Sequence, residues 1–160
     1  MLPLLFAACS SEKPGFMKVE KNHPKYASTR SFENSPAEVK AAAKLALQEL
    51  IDRSEPATNA KISEDKNELS TDWVYAKSKD KYVEYNFNGA PKRKILNVRR
   101  KYTYSINPSL AGMSVEVSTE EEIETVDLKS GEPKGWKKKD PDLATYDELL
   151  AKLKLKIREN

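Results

Sequence analysis

From Lys94 to Ile106 two kinds of side chain alternate. Leu96, Val98, Arg100, Tyr102, Tyr104 and Ile106 form one row; Ile95, Asn97, Arg99, Lys101, Thr103 and Ser105 form the other. Met113–Thr125 alternates in the same way, with Met113, Val115, Val117, Thr119, Glu121 and Ile123 against Ser114, Glu116, Ser118, Glu120, Glu122 and Glu124. A period of two is that of a strand with one buried face. Joined by the loop Asn107–Gly112, the two runs predict a long antiparallel hairpin in which Tyr104 faces Val115 and Tyr102 faces Val117. That register sets Arg99 opposite Glu120 on the outer face, a pair worth about 0.2–1 kcal/mol. A slip of one residue would bury the charged row, so the register is strongly specified. The inner row turns polar at Arg100, Thr119 and Glu121, which predicts that the far end of the hairpin reaches past the core.

Other stretches carry weaker patterns. Asn67–Ala76 reads as a strand with Leu69, Thr71, Trp73 and Tyr75 on one face, and Ala60–Ser63 leads into it. Lys77–Lys81 is a charged turn, and Tyr82–Phe87 a short strand closed by the turn signal Asn88-Gly89. Arg30–Glu33 is a further short strand. Ser35-Pro36-Ala37-Glu38 is a helix start: Ser35 caps, Pro36 suits the first helical position, and Glu38 completes a capping box. The helix is expected to run to about Arg53, with Val39, Ala43, Ala46, Leu47 and Leu50 inward and Lys40, Lys44 and Gln48 outward. Pro56 forbids much continuation. Asp127–Asp140 reads as a loop rich in Lys, Gly and Pro. A last helix from about Asp142 to Arg158 carries the stripe Leu143, Tyr146, Leu150, Leu153 and Ile157, with Asp140 or Asp142 as its cap.

Helix, antiparallel strands, helix is an α+β order: a meander sheet with the N-terminal and C-terminal helices packed on one face. With 160 residues and 38% hydrophobic side chains, the chain supports one domain with a modest core. The net charge of +3, with both signs interspersed, argues against bulk nucleic-acid binding. One cysteine excludes an internal disulfide, and the single histidine, His23, lies in a polar stretch and reads as a surface loop residue. No nucleophile motif and no glycine-rich phosphate loop is present, so neither an enzyme nor a cofactor is expected.

The one cysteine follows the one long apolar run. Met1–Ala8 (MLPLLFAA) reads as a signal-peptide remnant, apolar and then small; its missing basic region is a departure from that pattern, from which a start upstream of Met1 is expected. Leu5-Phe6-Ala7-Ala8-Cys9 resembles the bacterial lipobox. The resemblance implies cleavage before Cys9 and lipid on its thiol, and Ser10 in the next position implies sorting to the outer membrane. A single acyl chain anchors marginally at about 0.8 kcal/mol per buried CH₂, whereas lipoproteins carry two or three. The organisation expected is therefore 1–8 signal remnant, 9–29 lipidated flexible tether, and 30–160 folded domain.

The folded part, with Ser35-Pro36 opening an alanine-rich helix, Ser70-Thr71-Asp72-Trp73 in a strand, the long hairpin and the closing helix, resembles the helix-grip domains of envelope lipoproteins of the BamC (NlpB) type. The resemblance implies a non-catalytic assembly role at the envelope, lipid-anchored on the periplasmic face of the outer membrane. The alternative is a periplasmic binding protein for a lipid or small apolar ligand. For that reading Trp73 and Tyr75 would wall a pocket between helix and sheet; otherwise they pack in the core.

Three charged clusters have two readings each. Glu120-Glu121-Glu122-x-Glu124 is a metal or acid–base cluster or, since alternation divides it between faces, a solvated strand end. Arg99-Arg100-Lys101 with Tyr102 and Tyr104 contacts nucleic acid or an anionic lipid, or pairs across the hairpin with those glutamates. Trp136 with Lys137, Lys138 and Lys139 suits a membrane interface or an acidic partner; in the plainer reading Trp136 is tucked against the sheet.

Overall fold

The hairpin is the spine of the molecule. The computed structural model describes residues 28–160. In it β5 (Ala90–Ser109) and β6 (Gly112–Val126) pair from Val98 opposite Ile123 to Ser109 opposite Gly112. On the free edge of β6 lie β1 (Thr29–Phe32), near the turn, and β7 (Pro133–Lys139), at the other end. On the free edge of β5 lie β3 (Glu68–Thr71) and β4 (Val74–Phe87), with β2 (Ile62–Asp65) outside β3. All seven strands form one antiparallel sheet. Helices α1 (Pro36–Asp52) and α2 (Ala144–Glu159) bury their apolar faces against one side of it. The fold is α+β.

The register differs from the expected one by two residues. Tyr104 faces Val117, Tyr102 faces Thr119, and Arg99 faces Glu122. Alternation specifies which face a side chain takes, and a shift of two leaves every face unchanged. The shift comes from the turn. Asn107, Pro108 and Ser109 continue β5, leaving only Leu110 and Ala111 to reverse the chain before Gly112.

Helix α1 forms as its sequence predicts. Ser35 Oγ accepts from the Glu38 N–H at 3.3 Å, and Glu38 Oε2 accepts from the Ser35 N–H at 2.8 Å, closing the capping box. Val39, Ala42, Ala43, Ala46 and Leu47 are fully buried, the alanines allowing the helix to approach the sheet closely. Helix α2 begins at Ala144, so Leu143 precedes it and stays exposed, contrary to its expected place in the core stripe; Leu150 and Leu153 are buried as expected, Tyr146 and Ile157 pack against the core, and Leu149 joins them. Asp142 Oδ1 accepts from the Ala144 N–H at 3.0 Å and so supports the helix start.

Tyr104 ties the layers together. Its ring is fully buried and its hydroxyl donates to the Leu149 carbonyl of α2 at 2.7 Å. Burial pushes the phenol's pKa well above its ordinary value. Tyr104→Phe keeps the ring and removes the bond, an expected loss of about 1 kcal/mol. Urea unfolding should show the midpoint falling with an unchanged slope; no change in midpoint would mean that the bond adds nothing to stability.

Two expectations about the N-terminal side meet the structure differently. Strand β1 begins at Thr29, inside the stretch read as tether, and the Val117 N–H donates to the Ser28 carbonyl at 2.8 Å. The signal remnant 1–8, Cys9 and the tether as far as residue 27 lie outside the described residues. Among the described residues no helix is long and apolar enough to cross a membrane.

Candidate functional site

The face of the sheet turned away from the helices carries the side chains that alternation sends outward. From Arg99 to Ser105 and from Ser114 to Glu122 no outward residue is buried. At the end away from the β5–β6 turn this face gathers Trp73, Tyr75, Arg99, Glu122 and Trp136. Arg99 Cζ lies 4.4 Å from the Trp73 ring centroid and 4.6 Å from that of Trp136. Each contact is worth about 0.5–1 kcal/mol at an exposed site. Arg99 Nε also donates to Glu122 Oε2 at 2.7 Å, fixing the guanidinium in line with the two indoles. The rings of Tyr75 and Trp136 meet at 5.9 Å, tilted by 60°. Lys101 Nζ adds a second cation 5.0 Å from Trp73.

A β-bulge puts Trp73 there. Ser70 pairs with Thr103, but Val74 pairs with Arg100. Thr71, Asp72 and Trp73 therefore span only Tyr102 and Lys101, one residue too many for the ladder. The Thr71 hydroxyl accepts from the Tyr102 N–H at 3.1 Å, and Asp72 exchanges bonds with the Lys61 backbone. Beyond the bulge the inward position passes to Val74, and Tyr75 points outward. Trp73 and Tyr75 are thus neither core residues nor walls of a pocket between helix and sheet, as uninterrupted alternation predicted. The chain leaving α1 holds Tyr75 in place: Ser54 Oγ accepts from the Tyr75 N–H at 3.0 Å, and the Tyr75 carbonyl accepts from the Glu55 N–H at 2.8 Å.

Strand β7 corrects the reading of Asp127–Asp140 as a loop. Trp136, Lys137, Lys138 and Lys139 lie in a strand against β6, so they alternate and do not form one patch. Trp136 joins Arg99 and Tyr75 on the outer face, while Lys139 turns to the inner face and reaches Glu121 Oε1 at 2.7 Å. Lys137 and Lys138 are exposed.

The glutamate run is a solvated strand end only at Glu120; Glu121 and Glu124 correct that reading. Glu121 is 1% exposed and Glu124 5% exposed. Arg100 Nε donates to Glu121 Oε2 at 2.8 Å, so Glu121 bridges Arg100 of β5 and Lys139 of β7. Burial alone would raise the Glu121 pKa, but the bonds from Arg100 and Lys139 outweigh it and hold the carboxyl below its ordinary range. Glu124 accepts from the Asn97 N–H at 3.1 Å and from Lys94 Nζ at 3.1 Å. The far end of the hairpin therefore buries a paired carboxylate on each face, Glu121 inward and Glu124 outward, and is not a solvated overhang. A polar cavity of about 130 Å³ adjoins this triad, with Ser78, Asp142 and Glu148 also on its wall. A larger concavity of about 310 Å³ lies at the irregular stretch Ser78–Lys81 of β4.

Pairing with glutamates, the simpler reading of Arg99 and Arg100, holds for both. The outer cluster could have been suspected from Trp136 alone; the bulge that brings Trp73 to it left no signal in the alternation. No protein-family model matches the chain, and no curated protein matches it.

Proposed function

We propose that this chain is a bacterial outer-membrane lipoprotein, anchored through Cys9, whose α+β domain serves as a non-catalytic interaction or assembly module on the periplasmic side of the envelope. The anchor rests on Leu5-Phe6-Ala7-Ala8-Cys9 followed by a polar stretch. The observation that carries the interaction role is the Trp73–Arg99–Trp136 cluster with Tyr75 on a sheet face that no described helix covers. Trp, Tyr and Arg dominate the energetics of protein interfaces: Trp and Tyr bring large area with few rotors, and Arg brings a planar, charged group that stacks on them. Here they are already ordered by one another and by Glu122, so less side-chain entropy is lost on docking. The partner expected is another protein of the envelope.

The test is expression of the chain with its natural upstream codons in a Gram-negative host, followed by fractionation, intact mass and crosslinked pull-down. The mature chain is expected to start at a lipid-modified Cys9 in the membrane fraction, and Cys9→Ser to be lost from it. Trp73→Ala with Trp136→Ala is expected to stay folded and anchored but to lose at least tenfold of the captured envelope protein, since removing one such residue costs about 2 kcal/mol of binding or more. An unmodified chain that keeps Met1–Ala8 would sink the address. Undiminished capture by the double variant would sink the face. A melting temperature raised by added fatty acid, with no captured protein, would turn the reading to the binding protein for a lipid or small apolar ligand.

A further inference from the structure

A groove of about 400 Å³ runs between β1 and the C-terminal half of α2. Its floor is apolar, made by buried Phe32 and half-buried Ile157. Three cations rim it: Arg30 from β1, and Lys154 and Arg158 from α2. The other two cations of this half of α2 are engaged, Lys152 and Lys156 lying 2.9 and 3.3 Å from carboxylate oxygens of Glu49. The three at the groove are not. Among the described residues none of them has a carboxylate oxygen within 4.0 Å, although Glu33 stands on the same wall. Lys154 and Arg158 are also four apart on one helix, where like charges disfavour each other. Three unpaired cations around an apolar floor match a phosphodiester joined to a glycerol backbone and the first methylenes of acyl chains.

We propose that this groove seats the headgroup of an anionic phospholipid, so that the domain lies against the bilayer by this side. The inference rests on the anchored reading for its direction. Strand β1 is where the segment that carries Cys9 joins the domain, and the groove is therefore among the parts of the fold nearest the anchor along the chain. The three cations and the apolar floor favour an anionic surface by themselves, and anchoring strengthens the contact by making it intramolecular, with a high effective concentration of headgroups. The opposite sheet edge and the Trp73–Arg99–Trp136 face remain available to a protein partner.

The full chain bearing Cys9→Ser isolates the contact of the domain itself from the lipid anchor. Its co-sedimentation with phosphatidylcholine vesicles is compared with that on vesicles containing phosphatidylglycerol. Binding is expected on the anionic vesicles only, weakening as salt rises. Each cation near the surface contributes about fivefold, so Arg30→Gln with Lys154→Gln and Arg158→Gln together should weaken binding about a hundredfold, and Lys154→Gln alone about fivefold. Lys77→Gln with Lys101→Gln and Lys138→Gln, on the far face, should leave it unchanged. Equal binding to both vesicles, no loss in the groove variant, or an equal loss in the far-face variant would overturn the proposal. So would displacement by soluble glycerol 3-phosphate at the phosphate concentration of the vesicles, which would make the groove a small-anion site. Lipidation of Cys9 without vesicle binding by the domain refutes the groove alone. Vesicle binding by a chain never lipidated in its host refutes the anchor alone.

Discussion

Replacing Gly112 by alanine is expected to destabilise the protein by about 3 kcal/mol or more. Gly112 has φ +118, a conformation that side chains with a Cβ avoid, at a cost of about 1–3 kcal/mol. A Cβ built there lies 2.2 Å from the Phe32 carbonyl oxygen and 2.9 Å from the Glu33 Cα. Both are backbone, so no side chain can swing aside; β1 must move off β6, adding about 1–3 kcal/mol of forced repacking. Gly89 is the control. It sits in the β4–β5 turn with φ +79 and has nothing within 4 Å of the added Cβ, so Gly89→Ala should carry only the conformational cost, about 1 kcal/mol. Urea unfolding of the two variants separates the terms. Equal losses would mean that the contact with β1 is soft and that the turn conformation is the whole effect.

The second large effect lies in the Arg100–Glu121–Lys139 triad. Arg100→Met leaves a fully buried carboxylate with Lys139 alone, an expected loss of about 3 kcal/mol. Arg100→Met, Glu121→Leu and Lys139→Met together should cost much less than the single change, because burying matched apolar groups in place of paired charges is close to neutral. A triple variant at least as unstable as the single one would sink that account. The pH dependence follows from the same carboxyl. Its folded-state pKa is lowered from 4.5, so its stabilisation is fully present above that value and is lost as pH falls through the lower folded value. Glu121→Gln should therefore flatten the acid limb of the stability profile.

What was legible in the chain depended on whether one face is apolar. Residues 94–125 and Ser35–Glu38 could be read because apolar burial and capping leave strong local signals. The shift of two in the register could not, because turn length and not alternation decides it. Strand β7 was hidden for a different reason. Its inward Lys139 faces a buried glutamate, so both of its faces look polar, and Gly135 and Pro133 read as loop residues. The ion pair that makes the strand is a tertiary fact, visible only once β6 is placed. That Cys9 and its neighbours are a processing signal is proposed from the sequence pattern alone and owes nothing to the fold.

The bulge at Thr71–Trp73 has a consequence for how such a chain can change its length over time. Asp72 is the one surplus residue between two stretches of regular ladder. A lineage that loses it keeps Leu69 and Val74 inward and Trp73 and Tyr75 outward, giving up only a local twist and the bonds to Lys61. Loss or gain of one residue elsewhere in β3, or in β5 between Asn97 and Ser105, would turn the aromatic side chains inward and the core outward. Position 72 is therefore where related chains should first differ by a gap.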